Sequence, residues 1–450
     1  MRTALRRHAA TLASVFAAVL LPIVTYGAVE VPEGASVGQY STLDDMDRKD
    51  RDVVQNASEL EAYFERRGFV IHDAAFDAYM QEIAAKLMPP ATDPFIDYRF
   101  AVINDPVPNA FALPDGQIYV HSGLIAWLES EAQFAGLLAH EINHVAGHHT
   151  LLTMRDVRKD AVGTTVITGM LGAGLGLGGA LAGSLITLGV ISEMYEHSRE
   201  CEAEADVVAV ERLVDAGYDV AEFAEMFMVL KQDFEGLNVQ GGRAWRTHPY
   251  LDERRVAVLS TVSPTPTGDV GRERYQTMSR RIALGTVEDY LEIDMPRSAY
   301  NLAKTLEARY GESAQLHLSL GDALVALGAR DTSADLTLND RDKRRNQRDR
   351  VNFTREERFE AALAAPEAQR QLGDNMAQAI EHYNIAKADP ETELQALRGL
   401  GDAFLLQGEH RASGRAYMQY LKKHPEALDR SIVIDRLRVV RDALTKEGES

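Results

Sequence analysis

The stretch SEAQFAGLLAHEINHVA, residues 130–146, decides how the rest of the chain is interpreted. Ser130, followed three positions later by Gln133, is the capping-box pattern that starts a helix. The apolar residues after it recur at helical spacing; they are Phe134, Leu137, Leu138 and Val145. We therefore predict an amphipathic helix that begins at Ser130 and buries its apolar face.

His140 and His144 share one face of this helix, because residues four positions apart lie one turn apart. Both imidazoles can therefore point at one metal ion. Glu141 projects towards the open side of such an ion, where its carboxylate can accept a proton from a water that attacks a carbonyl. The alternative is a pair of surface histidines with a helical glutamate between them. The capped helix favours the metal site of a hydrolase. We expect His148 and His149, which follow this helix, to support the metal ligands or to be exposed, and not to bind the metal.

A catalytic metal site of this kind needs a third protein ligand. The segment ECEAEAD, residues 200–206, is predicted to begin a helix and offers several carboxylates. Spacing alone leaves Glu200, Glu202 and Glu204 open as the ligand, and Cys201 is a less favoured fourth choice. Glutamates this dense are also typical of the solvated face of a helix.

Short strands and another helix are predicted before residue 130. Residues 73–87 have apolar side chains at helical spacing, and two prolines end that pattern. Residues 97–104 and 117–121 alternate apolar and other side chains, which predicts strands. We therefore expect a mainly α fold with a small β-sheet and place a metal-site domain at residues 28–270.

Beyond residue 275 the sequence becomes helical and repetitive. Residues 394–427 fit one tetratricopeptide-like repeat of about 34 residues, with small and aromatic residues at template positions. We therefore predict a helical repeat domain at 275–450, with a generic helical bundle as the alternative. Residues 331–358 interrupt the repeats, and the basic stretch inside them also carries acids, so we expect a solvated loop there.

Composition excludes several classes of protein. The 450 residues are 45% hydrophobic and 26% charged, which is ordinary for a globular chain and excludes collagen and full disorder. The formal net charge is −20, so the chain has no electrostatic attraction to nucleic acid, and we expect no nucleic-acid partner. With one cysteine, Cys201, no intrachain disulfide can form.

The first 27 residues have the pattern of a secretory signal peptide. Arg2, Arg6 and Arg7 precede an apolar run at 9–24, and small residues near Gly27 suit a cleavage site. The alternative is an uncleaved membrane anchor. Export without disulfides suits a bacterial periplasm. In that oxidising compartment a thiolate ligand would be exposed to oxidation, which disfavours Cys201 as a metal ligand.

Residues 161–192 contain no charged residue and nine glycines. Their length would allow a membrane span, but a helix this rich in glycine is unstable in water. We expect an apolar hairpin that covers the active site or makes peripheral contact with a membrane. A true span and a buried core element are the alternatives.

Four motifs in order resemble one metallopeptidase family. Along the chain they are the stretch 109–124 with Asn109, Ala110, Ile118 and Val120, then His140-Glu141-x-x-His144, then Glu202-x-x-Ala205-Asp206, and last Thr247-His248-Pro249 with Glu253-Arg254. The chain resembles the family that includes the CAAX prenyl-protein protease, the HtpX heat-shock protease and periplasmic proteases of the BepA type. The resemblance covers about residues 35–265, and the repetitive tail extends it to the BepA-type architecture.

The resemblance implies a Zn²⁺ cofactor held by His140, His144 and Glu202. It implies that Asp206 supports a ligand histidine and that Glu141 is the catalytic base. Arg254 could pair with a carboxylate near the site or lie on the surface.

The resemblance also implies how a substrate is held. The strand at 117–121 would be an edge strand that binds an extended peptide by strand addition, with Asn109, Ala110, Ile118 and Val120 at the substrate. His248 would either occupy the fourth position on the metal in a closed state or stabilise the oxyanion.

These inferences lead to one function hypothesis and two alternatives. The chain would be a periplasmic zinc endopeptidase that removes misfolded or stalled envelope proteins and aids outer-membrane protein assembly. Its repeats would bind polypeptide substrates or assembly proteins. The alternatives are a chaperone or docking scaffold with a largely latent protease, and an integral-membrane processing protease.

Overall fold

The computed structural model describes residues 42–90, 93–157, 197–231, 250–262, 268–333, 355–365 and 372–449. The expected signal peptide at 1–27, the apolar segment 161–192 and His248 lie outside these residues. Among the described residues, no helix is both long enough and apolar enough to cross a membrane.

Helices dominate the described residues, and one small sheet lies near the N-terminal side, as predicted. After a short 3-10 helix at Leu43–Asp45, the elements up to residue 157 are α1 (Arg48–Arg67), β1 (Val70–Ile71), α2 (Ala74–Leu87), β2 (Arg99–Ile103), β3 (Ala110–Ala112), β4 (Gln117–His121), α3 (Ser122–Trp127), α4 (Glu131–Ala146) and α5 (His149–Val157). The later elements are α6 (Arg199–Ala216), α7 (Val220–Leu230), α8 (Leu251–Thr261), α9 (Arg272–Glu292), α10 (Pro296–Tyr310), α11 (Ala314–Ser333), α12 (Arg355–Ala364), α13 (Asn375–Ala386), α14 (Glu393–Gln407), α15 (His410–Lys423) and α16 (Arg430–Glu449).

The sheet has four strands in the order β1-β2-β4-β3. Strands β2 and β4 are parallel, whereas β3 pairs antiparallel with β4. The expectation that residues 117–121 form an edge strand is therefore wrong, because β4 is hydrogen-bonded on both sides. The edge strands are β1 and β3, so Ile118 and Val120 of β4 lie in the sheet interior.

Helix α4 lies in the centre of the first core. Ser130 caps it as predicted, with its Oγ accepting a hydrogen bond from the Gln133 amide at 3.1 Å. Every side chain from Glu131 to Val145 is buried, so the helix is enclosed on all sides and not on one face only. The reason is that β3, α2, α6, α7 and α9 all pack around it.

Helix α7 approaches α4 closely at a glycine. A Cβ atom at Gly136 would lie 2.4 Å from the ring of Phe223, so only glycine fits at this position. The close approach holds α4 between α6 and α7, which leaves the two histidines of α4 facing α6.

The C-terminal region consists of successive packed helices from α11 to α16, which confirms its predicted helical character. Helices α14 and α15 occupy the predicted repeat at 394–427. The Tyr383 ring packs against Gly321 and Gly399, where an added Cβ would lie 2.7 and 2.3 Å from the ring. The first apolar core extends through α9 and α10 into α11, as far as Ala323. The boundary near residues 270–275 and the tetratricopeptide assignment stay predictions.

Candidate metal centre

Helices α4 and α6 bring two imidazoles and one carboxylate together. The Nε2 atoms of His140 and His144 are 2.9 Å apart. Glu202 places Oε2 at 3.6 Å from Nε2 of His140 and Oε1 at 3.4 Å from Nε2 of His144. All three side chains are buried, and their donor atoms lie within 4.8 Å of one another. Within the described ranges, this is the one cluster of three or more such residues that could hold a metal ion.

The register of α6 selects Glu202. Ser198 caps the helix, with its Oγ accepting a hydrogen bond from the Cys201 amide at 3.3 Å. Glu202 then shares a buried face with Ala205, Ala209 and Leu213, which are fully buried. This apolar stripe packs against α4 and turns the Glu202 carboxylate towards the histidines.

The other candidate ligands lie elsewhere. Glu200 is exposed, and the Glu204 side chain is 41% exposed and faces His149. Cys201 is half-buried and outside the donor cluster, and burial raises the pKa of its thiol. A raised thiol pKa disfavours the thiolate that a metal would need.

The donor set fits a divalent metal such as zinc. The Nδ1 atom of His140 lies 3.0 Å from Asp206 Oδ1, and Nδ1 of His144 lies 2.9 Å from Nδ1 of His149. With a proton on each Nδ1, both Nε2 atoms would present lone pairs to the same point as the Glu202 carboxylate. Burial, together with the neighbouring His197, lowers the pKa of His144 well below its usual range, which keeps this imidazole neutral. Two imidazoles and a carboxylate are typical zinc ligands.

Arg254 of α8 binds the carboxylates behind the donor cluster. Its Nε and Nη2 atoms donate to the two oxygens of Asp206, both at 2.7 Å, and Nη1 is ion-paired with Glu202. Burial alone would raise the pKa of Asp206, but Arg254 and His140 hold it below its usual range. The guanidinium also lies over the Phe227 ring, 4.8 Å from its centroid. Of the two alternatives for Arg254, the structure shows the pairing and not the surface position.

Glu141 follows His140 on α4 and is fully buried. Burial alone would lower the pKa of Arg254, but Asp206 and Glu202 raise it, and the charge of Glu141 adds a smaller effect in the same direction. Glu141 is thus a buried carboxylate within electrostatic reach of Arg254, which contacts Glu202 and Asp206.

The candidate substrate residues divide between two strands. Asn109 precedes the edge strand β3, and its carbonyl accepts a hydrogen bond from the His121 amide of β4 at 2.9 Å. Ala110 is the first residue of β3, and all three residues of that strand are buried. At its far end, Thr150 Oγ1 of α5 donates to the Ala112 carbonyl at 3.0 Å. Of the two strands that carry the candidate substrate residues, β3 lies at an edge of the sheet, as strand addition requires, and β4 does not.

Sequence reasoning missed one contact of the donor cluster. His197 stacks on His144 with ring centroids 3.8 Å apart and an interplanar angle of 12°. The two residues are far apart in sequence, and no motif connects them. His148 is buried and binds Asp93, with 2.7 Å between Nε2 and Oδ2.

Comparison with known proteins points to one family. The sequence profile of peptidase family M48 matches residues 74–262. A putative beta-barrel assembly-enhancing protease of Vibrio cholerae is 29% identical over 188 residues, which are 41% of this chain and 39% of that protein. The beta-barrel assembly-enhancing protease of Yersinia pestis is 26% identical over 264 residues, 55% of this chain and 52% of that protein.

A eukaryotic relative matches a shorter part of the chain. The mitochondrial metalloendopeptidase OMA1 of Schizosaccharomyces pombe is 31% identical over 124 residues, 28% of this chain and 35% of that protein. The matched part thus spans between 35% and 52% of these three relatives. The range matched by the family profile contains His140, His144 and Glu202, and we conclude that this part of the chain belongs to peptidase family M48.

Proposed function

We propose that the chain is a zinc-dependent endopeptidase exported to the periplasm, where it cleaves misfolded or stalled envelope proteins. The observation that carries the proposal is the buried convergence of His140, His144 and Glu202, with Glu141 beside it on the same helix. Two relatives are named for enhancing beta-barrel assembly, which supports outer-membrane proteins as the substrate class.

The chain's own residues would divide the work of peptide hydrolysis. His140, His144 and Glu202 would hold the ion, and bound zinc would supply polarisation of the scissile carbonyl and acidification of the attacking water. Glu141 would accept the proton from that water and then donate it to the leaving amine. Asp206 would fix the tautomer of His140 through the 3.0 Å contact with Nδ1.

The edge strand β3 would bind the substrate in an extended conformation. Main-chain pairing along Ala110–Ala112 does not depend on the substrate's side chains, which would give broad sequence tolerance. Asn109 and Ala110 stay proposed substrate residues on this basis. Ile118 and Val120 would act indirectly, because β4 supports β3 from the interior of the sheet.

The decisive experiment measures metal content and proteolysis of the purified chain. The unaltered protein is expected to carry about one zinc per chain and to cleave an unfolded protein. Glu141→Gln should keep the zinc and the fold but lose activity by about a thousandfold or more, because the base and the metal act together. Glu200→Gln is the matched control, since Glu200 is exposed near the start of α6.

Two results would contradict the proposal. Near-normal cleavage by Glu141→Gln would remove Glu141 as the base. Zinc without cleavage in the unaltered chain would favour a docking scaffold whose protease is silent.

Recovery of a chain that begins at Ala28 from a periplasmic extract would support export, whereas retention of Arg2, Arg6 and Arg7 in a membrane fraction would support an anchor.

His248 has two proposed roles with opposite consequences. As a fourth ligand of zinc it would displace the attacking water, so His248→Ala should raise basal proteolysis. As a stabiliser of the oxyanion it would help catalysis, so the same change should lower proteolysis. Cleavage of a generic unfolded substrate, with the zinc content verified, decides between them, and a change within about twofold would exclude both roles.

A further inference from the structure

His149 is a fully enclosed histidine beside the donor cluster that is not one of its three members. Its Nδ1 atom lies 2.9 Å from Nδ1 of His144, and its Nε2 atom lies 3.5 Å from Oε2 of Glu204. The three side chains form a row that runs from His144 to a carboxylate at the surface, since the Glu204 side chain is 41% exposed.

The order of the row fixes where its protons lie. A histidine that binds a metal through Nε2 carries its proton on Nδ1. The Nδ1–H of His144 must then donate to His149, so Nδ1 of His149 is an acceptor. A neutral imidazole has one donor and one acceptor nitrogen, so the proton of His149 is on Nε2 and faces Glu204. The nitrogen atoms of the row thus alternate between donor and acceptor.

The chain builds the row with a tight turn between α4 and α5. His148 has a positive φ of 54°, and it is held there by Asp93 and by stacking on Phe95, 5.9 Å between ring centroids. A Cβ atom at Gly147 would lie 2.5 Å from Nε2 of His149, so only glycine leaves room for the imidazole. The turn therefore delivers His149 back to the side of α4 that carries His144.

A second contact restrains the same ligand. His197 stacks on the His144 ring, with the planes inclined by 12°. Thr153 lies within hydrogen-bonding distance of His197, 3.3 Å from Oγ1 to Nδ1. Stacking fixes the plane of the His144 ring, and the bond to His149 fixes its rotation within that plane.

We propose that His149 and Glu204 are positioning residues, which hold His144 in the tautomer and orientation that present Nε2 to the metal. They do for His144 what Asp206 does for His140. Helix α6 would then supply one carboxylate to the metal, through Glu202, and one to the support of each ligand histidine. The proposal rests on the metal site of the proposed function.

The test measures metal binding by the full chain rather than activity. His149→Phe keeps the ring volume but removes the acceptor, and His149→Asn places an amide oxygen near the position of Nδ1. We expect His149→Phe to weaken zinc binding by about 10- to 100-fold in competition with a chelator, as losses of such supporting residues typically do. His149→Asn should restore affinity to within a few-fold. The absorption spectrum with cobalt alone should shift in His149→Phe and return in His149→Asn.

Substitutions of Glu204 provide a second test that does not disturb the core, because the Glu204 side chain is 41% exposed. Glu204→Leu should weaken zinc binding by about tenfold, whereas Glu204→Gln, which still accepts a hydrogen bond, should have a smaller effect. Glu200→Leu is the matched control on the same helix and should leave zinc affinity unchanged.

Three results would overturn the proposal. Unchanged zinc affinity and an unchanged cobalt spectrum in both His149→Phe and Glu204→Leu would show that the row does not position His144. Complete loss of zinc in Glu204→Leu, equal to the loss in Glu202→Leu, would make Glu204 a ligand. If the unaltered chain binds no zinc, the proposed function itself fails, so the two failures can be told apart.

Discussion

Replacing Arg254 with methionine is expected to destabilise the metal-free protein strongly. Arg254 is buried between Asp206 and Glu202, with two donor contacts of 2.7 Å to Asp206 and an ion pair to Glu202. Methionine retains much of the side-chain volume but removes the guanidinium that pairs with these two carboxylates. Both carboxylates are buried, with Asp206 4% exposed and Glu202 0% exposed.

The magnitude follows from the cost of an unpaired buried charge. Removing one partner of a buried ion pair costs about 3–5 kcal/mol in free energy of unfolding. For a domain of 150–250 residues, 1 kcal/mol corresponds to about 2–4 °C, so the melting temperature should fall by about 6–20 °C. Zinc bound at Glu202 would offset part of the unpaired charge, so the loss should be smaller in the zinc-loaded protein.

The assay is thermal unfolding with and without a chelator, and the adjacent arginine supplies the control. Arg255 pairs with Glu225 at 2.8 Å on the surface, where the side chains are 31% and 49% exposed. Arg255→Met should therefore cost at most about 1 kcal/mol. Adding Asp206→Asn to Arg254→Met should recover part of the loss, because the double change removes one of the unpaired charges.

Two results would refute the role of Arg254 in neutralising the buried carboxylates. If Arg254→Met and Arg255→Met melt at similar temperatures in the metal-free protein, Arg254 does not neutralise the buried carboxylates. A loss of stability that Asp206→Asn does not reduce would mean that Arg254 acts through packing on Phe227 and not through charge.

Further predictions concern the fold outside the donor cluster. Burial, with Glu292 and Asp105 nearby, raises the pKa of Asp289 to about 7, so the folded protein retains a proton that the unfolded chain has lost. The stability of the folded protein should therefore fall as the pH rises from about 4 to 7. Asp289→Asn should melt at a higher temperature than the unaltered chain at pH 8 but not at pH 4. Equal melting temperatures at pH 8 would contradict this prediction. In the tail, Gly399→Ala should lower the free energy of unfolding by about 1–3 kcal/mol, because the added methyl group would overpack Tyr383. Gly285→Ala in α9 should raise it by about 0.5–1 kcal/mol, because the space around Gly285 is open and alanine favours the helix. Urea unfolding of both variants checks the sign of each change.

The sequence predicted the elements whose signals are local. The helix after Ser130 and the strand at 117–121 lie where capping and alternation placed them. These signals come from residues within one or two turns, so they do not depend on the rest of the fold. The third donor could also have been selected locally, because Glu202 lies on the same helix face as Ala205, Ala209 and Leu213.

The position of β4 in the sheet could not be predicted in this way. Its alternation of apolar Ile118 and Val120 with other side chains is typical of a strand with one solvated face. In the structure the second face is covered by α1, whose Phe64 packs edge-on against Tyr119 at 5.1 Å between ring centroids. Neither this cover nor the pairing with β3 leaves a signal in residues 117–121. The row through His149 depended on tertiary structure too, since Glu204 comes from a different helix.

The charges buried at the site give an independent reason for a divalent cation. Glu141, Glu202 and Asp206 are carboxylates with at most 4% of their surface exposed, and Arg254 is the buried guanidinium that contacts two of them. Metal binding requires neutral imidazoles and ionised carboxylates, and in that state the formal charges of these four described side chains sum to −2. Burying charge is costly unless it is paired, so this charge balance among the described residues favours a cation at the donor cluster. An ion of charge +2 at the donor cluster would balance these charges without protonation of Glu141, whose proposed role as a base requires an ionised carboxylate.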